Sequence, residues 1–165
     1  MASLSEEEEN YVRMSLLLTG ISPRAVRTYF DSEFAPACLG ASLKREYNKL
    51  LDLRRNIYFP DVPDSKTFDV TLMTLLLRNL TTLTPPLCGF DMLPSAIETT
   101  PASDLSRIKH YRTYLAYLDD GKLDTTFFNT AWNDITGVCM HIYCHLTEYK
   151  SPIVKYLKIN LELDI

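Results

Sequence analysis

The chain has 165 residues, of which 46% are hydrophobic and 23% charged, so it can bury one apolar core and lacks the composition of a disordered chain. Its formal net charge of −4 excludes a broadly basic surface and leaves only a local basic patch for binding nucleic acid. No signal peptide and no apolar segment long enough to span a bilayer is recognisable. We therefore expect a cytoplasmic protein with reduced cysteines and no membrane contact.

Sequence signals in the first half of the chain predict three helices. Ser22 followed by Pro23 is typical of a helix start with serine as the N-cap, and this helix is expected to end near Phe34. Apolar residues at helical spacing predict two more helices, over 43–57 and 65–83, and prolines follow both of them.

Residues 84–103 contain four prolines and separate the third helix from the next. A loop of this length is uncommon and often functional. The alternative, which we favour, is a packed crossover whose apolar side chains plug the core. These side chains are Phe90, Met92, Leu93 and Ile97.

Two further helices are predicted in the second half of the chain. Ser103 is the expected N-cap of a helix that ends at Leu118, before an Asp-Asp-Gly turn at 119–121. The next helix is expected to begin at Asp124 or Thr125. Its apolar stripe consists of Phe128, Ala131, Trp132, Ile135, Val138 and Ile142.

The pattern changes near the C-terminus, where apolar and polar residues alternate from Leu157 to Ile165 and predict a strand. A single strand on a helical bundle pairs with another chain, lies loose, or is a tail foreign to the domain. The predicted fold class is all-α, a helical bundle with a C-terminal extended, strand-like tail. We divide it into an N-terminal helical extension (1–21), the bundle (22–146) and a divergent tail (147–165).

Four side chains that could bind zinc lie close together near the end of the last helix. They are Cys139, His141, Cys144 and His145. Only the last three share one side of a helix, and the sequence offers no second pair of ligands. We therefore predict buried thiols and no metal site. With no glycine-rich phosphate loop, no cofactor is predicted either.

The helix from Ser103 carries a basic edge interleaved with aromatic side chains. The basic residues are Arg107, Lys109, His110 and Arg112, and the tyrosines are at positions 111, 114 and 117. Such side chains can bind the phosphates and bases of RNA, although most surface charges are simply solvated.

Three stretches of the sequence resemble a HEPN domain (higher eukaryotes and prokaryotes nucleotide-binding). They are FDVTLMTLLLRNLTTLTPPLCGFDMLP, ASDLSRIKHYRTYLA and FFNTAWNDI. The subtype is that of the DAZ-interacting RING-finger ubiquitin ligase and of many invertebrate innate-immunity-like proteins. The resemblance implies a helical bundle that often dimerises through helices bearing an arginine–histidine motif, and its active members are metal-independent endoribonucleases. We expect the resemblance to end after Gly137.

Carried onto this sequence, the resemblance assigns Arg112 to the motif arginine and puts Tyr117 where the motif histidine would stand. A phenol, whose pKa is ordinarily about 10, is a poor general base at neutral pH. His110 lies seven residues before Tyr117, about 10 Å back along a helix, which is too far for direct proton transfer. The motif is therefore degenerate.

We predict a non-catalytic HEPN domain that binds RNA or a protein partner. The expected RNA-binding residues are Arg107, Lys109, His110, Arg112 and Tyr117. The resemblance further implies a homodimer through the helix of Arg112 and partners in an immune or ubiquitin pathway. Two alternatives stay open: a metal-independent endoribonuclease that uses Arg112 with an atypical Tyr117, or with His110 in an unorthodox role, and a helical oligomer whose basic helix is only a solvated face.

Overall fold

A computed structural model of the protein describes residues 3–46, 48–49 and 62–146. Within these ranges the chain forms six α-helices and no strand, which confirms the all-α prediction. The helices are α1 (Glu6–Leu16), α2 (Ser22–Glu33), α3 (Leu39–Arg45), α4 (Val70–Leu80), α5 (Pro101–Ala116) and α6 (Thr125–Leu146). The predicted strand over 157–165 and most of the predicted helix over 43–57 lie outside the described residues.

The first two helices form one continuous rod, joined by a π-helical turn at Leu17–Ile21. The helix predicted to end near Phe34 does end there, but Ser22 is not its N-cap, because the Ser22 hydroxyl donates to the carbonyl of Leu18 inside the rod (3.0 Å). Proline lacks an N–H, and its ring collides with the preceding turn of an α-helix. The wider π turn lets the chain stay helical through Pro23.

The hydrophobic core lies where α2 packs against α4 and α6, with α1 also packed on α6. Phe30 of α2 is fully buried there, and its ring contacts those of Phe34 and Phe68. The predicted stripe of α6 faces this core, with Trp132 partly buried at its edge. Met14 and Leu17 belong to the same core, so the segment predicted as an N-terminal extension packs with the bundle. The domain boundaries themselves stay a prediction.

Helix α4 is shorter than the predicted span of 65–83. Residues Ser65–Thr67 form a separate 3₁₀ turn, and the α-helix begins only after Asp69, whose carboxylate accepts a hydrogen bond from the Leu72 N–H (2.7 Å). An N-cap of this kind satisfies a backbone donor that the first helical turn leaves free. The cap at Asp69 therefore fixes where α4 starts.

The N-terminal starts of α5 and α6 correct one prediction and confirm another. Thr100 is the N-cap of α5 and forms a capping box with Ser103, so the prediction that Ser103 caps this helix is wrong. Pro101 stands at the first helical position, where its missing N–H costs nothing. Helix α6 begins at Thr125 as predicted, and the carboxylate of Asp124 accepts from the Phe127 N–H (3.0 Å).

The loop between α4 and α5 does not plug the core as predicted. Of the four apolar side chains predicted to plug the core, only Phe90 is buried, whereas Met92, Leu93 and Ile97 are exposed. The loop is held by polar contacts instead, because Arg107 binds two of its carbonyl groups. Among the described helices none combines the length and apolar character that crossing a bilayer would require.

Candidate functional site

Arg107, predicted to lie on the basic edge of α5, is buried with a relative exposure of 6%. Its guanidinium donates to the carbonyl oxygens of Ser95 (2.6 Å) and Glu98 (2.7 Å) and to the Ser103 hydroxyl (3.2 Å). It also lies 3.5 Å from the Asp104 carboxylate. The basic edge therefore does not include Arg107, which instead fastens the loop to α5.

Asp104 and His141 join α5 to α6 beneath the loop. Their side chains are 2.5 Å apart at Oδ2 and Nδ1, and the Asp104 carboxyl is almost fully buried. Burial raises the pKa of Asp104, while the hydrogen bond with His141 and the charge of Arg107 oppose the rise. Through this contact His141 connects α6 to α5. The contact does not require the zinc ion that the sequence analysis considered.

A cleft of about 220 Å³ lies between α4 and α5, on the basic face of α5. We call it the cationic cleft, because Arg78 from α4 and Lys109 and Arg112 from α5 all line it. Arg78 also packs over the ring of Phe90, 4.9 Å from its centroid. The complete lining is Val70, Thr71, Thr74, Leu75, Arg78, Phe90, Lys109, Arg112 and Thr113.

Sequence reasoning missed Arg78. It belongs to a different helix from Arg112, and no local spacing relates the two positions. The signal that could have indicated it is that Arg78 is the one charged residue in the helix VTLMTLLLRNL.

Arg112 is half-buried, and its Nη1 donates to the carbonyl of Leu18 (2.8 Å). Among the described residues no carboxylate pairs with it, so its remaining N–H groups can serve a ligand. The other two cations share one carboxylate. Asp91 pairs with Lys109 and lies 4.0 Å from Arg78, and the Lys109 contact lowers the pKa of Asp91. The cleft therefore carries more positive than negative charge.

A second pocket, which we call the aromatic pocket, has a volume of about 330 Å³ and lies between α5 and the loop around Phe90. His110 and Tyr114 line it, and the ring of Tyr114 stacks on Phe127 of α6 at a centroid distance of 4.3 Å. Phe90, Lys109 and Thr113 line both pockets, so the two adjoin. The remaining lining residues are Asp91 and Ser106.

Tyr117 stands apart from both pockets, at the C-cap of α5 with 81% of its surface exposed. The structure thus brings together Lys109, His110 and Arg112 from the predicted set, adds Arg78, removes Arg107 to the interior and leaves Tyr117 outside. A cationic cleft beside an aromatic pocket can hold an anion and a flat ring.

Comparison with known proteins gives a family match over most of the chain. The profile of the family described as DZIP3/hRUL138-like HEPN matches residues 38–164. The match continues past Gly137, so the expectation that the resemblance ends there is wrong. No solved structure matches.

Two curated proteins are similar to this chain, both called E3 ubiquitin-protein ligase DZIP3. The Mus musculus protein is 29% identical over 134 residues, and the Homo sapiens protein is 27% identical over 134 residues. Each alignment covers 71% of this chain but only 11% of the relative. The chain therefore spans about a tenth of the length of the curated relatives it matches.

Proposed function

Because the chain belongs to the DZIP3/hRUL138-like HEPN family, we propose that it is a non-catalytic HEPN domain that binds RNA through the cationic cleft. The observation that carries the proposal is the convergence of Arg78, Lys109 and Arg112 from two helices on one cleft. A chain with a net charge of −4 has no general attraction for nucleic acid, so a local concentration of cations is what binding requires.

The chemistry of the cleft suits phosphate groups. A guanidinium offers several N–H donors in a fixed plane that matches phosphate oxygens, whereas a lysine acts as a point charge. The contact to the Leu18 carbonyl holds Arg112 in place and leaves its other nitrogens available. The hydroxyl groups of Thr71 and Thr113 line the same cleft and can add neutral hydrogen bonds.

The non-catalytic part of the proposal rests on the position of Tyr117. Cleavage of RNA next to a 2′-hydroxyl needs a group that moves a proton within hydrogen-bond reach of the reacting atoms. Tyr117 is exposed at the C-cap of α5 and does not line the cleft of Arg112. None of the described residues that line the cleft of Arg112 is a histidine or a carboxylate that could take up a proton, and His110 lines the adjoining aromatic pocket instead.

The test measures binding and cleavage of a labelled RNA by the purified chain in EDTA. We expect binding that weakens with salt and no cleavage product. Arg112→Ala should weaken binding and lower the salt slope by about 0.7, the value for one phosphate contact on a single strand. The fold should tolerate this change, because the Ser22 hydroxyl also donates to the Leu18 carbonyl that Arg112 contacts.

Lys122→Ala is the matched control, since it removes one exposed positive charge from the turn between α5 and α6, outside the cleft. Equal effects of the two substitutions would mean that the cleft is not the site. Cleavage that leaves a 2′,3′-cyclic phosphate and disappears with Arg112→Ala would overturn the non-catalytic assignment in favour of the endoribonuclease alternative.

Self-association through α5 and partners in an immune or ubiquitin pathway stay predictions from the family resemblance. The exposed surface at the C-terminal end of α5, with Ala116 and Tyr117, supports the first of these. Self-association can be measured by light scattering on the chain and on its Tyr117→Glu variant. A dimer through this end of α5 should dissociate when the charge is introduced.

A further inference from the structure

The aromatic pocket opens beside the cationic cleft and shares part of its wall. Phe90, Lys109 and Thr113 line both, so a ligand group in one lies next to a group in the other. A nucleotide has this layout, with an anionic phosphate at one end and a flat apolar base at the other. The cleft alone explains attraction to a polyanion and leaves the aromatic pocket without a role.

The aromatic wall of the pocket is fixed before any ligand binds. Tyr114 stacks on Phe127 with ring planes 24° apart, and 40% of Tyr114 is still exposed. His110 packs edge-on against Tyr111 at a centroid distance of 5.3 Å, and Tyr111 is itself bonded to Asp134 of α6 (2.5 Å). Rings held in this way lose little conformational entropy when a base stacks on them.

We propose that the aromatic pocket takes one unpaired nucleobase of a single-stranded RNA whose adjacent phosphate lies in the cationic cleft. The proposal rests on the proposed RNA-binding function and adds the strandedness of the ligand. Lys109 lies at the boundary and binds the phosphate that links the two parts. In a duplex the bases are stacked and paired, so none can enter a pocket without being extruded.

Two of the polar side chains that line the pocket are already engaged by other groups of the protein. The Ser106 hydroxyl donates to the Ala102 carbonyl within α5 (2.9 Å), and the Asp91 carboxylate is engaged by Lys109. Stacking on an aromatic ring tolerates every base, because each base has a π face. The ligand class is therefore single-stranded RNA whose base is held mainly by stacking.

The test compares three labelled ligands of equal length by fluorescence anisotropy at one salt concentration: a single-stranded RNA, its duplex, and an abasic strand with the same sugar–phosphate backbone. The wild-type chain should bind the single strand most tightly. Tyr114→Ala should weaken single-strand binding by about 5- to 150-fold, the equivalent of one lost base stack. The same substitution should leave the duplex and the abasic strand unaffected, because neither fills the pocket.

Three further variants make the result specific. Tyr114→Phe keeps the ring and should keep single-strand affinity, whereas His110→Ala should weaken it selectively. Leu16→Ala, which truncates an exposed apolar side chain on α1, is the control and should change nothing. If the Tyr114→Ala variant loses its helical circular dichroism signal, the test depends on His110→Ala. That variant should lose affinity for the single strand and keep its affinity for the other two ligands.

The outcomes separate this proposal from the function on which it rests. No binding of any of the three ligands would overturn both. Equal binding of all three ligands, still dependent on Arg112 and insensitive to Tyr114→Ala and His110→Ala, would overturn the base pocket and leave RNA binding by the cleft intact.

Discussion

Replacing Arg107 by methionine tests the largest difference between the sequence-based prediction and the structure. The sequence predicts a surface cation that binds RNA, whereas the structure buries its guanidinium. Methionine keeps most of the side-chain length and removes the charge. The substitution ends the hydrogen bonds to the carbonyls of Ser95 and Glu98 and leaves Asp104 with His141 as its remaining ionic contact.

The expected loss of stability follows from these contacts. Removing one member of a buried ion pair typically costs about 3–5 kcal/mol, because the other charge and the bonded carbonyls lose their partner. Since His141 still holds the Asp104 carboxylate, we expect a value near the lower limit, about 3 kcal/mol. For a chain of this size that corresponds to a melting temperature lower by about 6–12 °C.

Urea unfolding followed by circular dichroism measures the loss, with Lys109→Met as the matched control. Lys109 lies two residues further along α5 and pairs with Asp91 on the surface, where an ion pair contributes about 0–1 kcal/mol. Adding Asp104→Asn to Arg107→Met should recover part of the loss, because it removes a buried carboxylate that has lost one of its two charged partners. A loss below 1 kcal/mol for Arg107→Met, with RNA binding weakened instead, would refute the buried assignment and restore the surface prediction.

Three other substitutions test the cationic cleft and the cap of α1. Tyr117→His should leave the chain without nuclease activity in EDTA, because position 117 lies outside the cleft of Arg112; cleavage would show that the two meet. Asp91→Asn should strengthen RNA binding more than Asp119→Asn, because only Asp91 pairs with cations of the cleft; equal gains would indicate a general charge effect. Hydrogen bonds from Ser5 lower the pKa of Glu8 in the folded chain. The unfolded chain therefore binds a proton at Glu8 more tightly than the folded chain does. The stability that Glu8 contributes is present above its ordinary pKa of 4.5 and is lost as the pH falls through the lower pKa of the folded chain. Glu8→Gln should therefore reduce the loss of stability below pH 4.5, and an unchanged pH profile in a denaturation series would contradict this.

Local sequence signals predicted a helix well where a single short-range interaction determines its start. The Asp124 carboxylate caps α6 as its sequence position suggests, and the apolar stripe of that helix faces the core. The errors lie where two local signals compete. Thr100 with Pro101 defines the start of α5 ahead of Ser103, and Asp69 starts α4 after a separate turn at Ser65–Thr67.

The structure places three of the predicted site residues on adjoining pockets along α5 and buries a fourth, Arg107, where another segment covers that helix. Lys109, His110 and Arg112 do line adjoining pockets. Periodicity could not show that the loop after α4 covers the first turns of α5, because a covering loop leaves no periodic pattern in the helix beneath it. The burial of Arg107 follows from that cover.

The sequence by itself determined the helical class and the family signature, since each depends on residue identity or short-range spacing. Only the tertiary structure decided that Arg78 joins Lys109 and Arg112 in one cleft, that Asp91 offsets part of their charge, and that Arg107 is internal. The physical reason is that spacing along one helix sets which side chains share a face. The packing of other segments decides which face is covered and which charges meet.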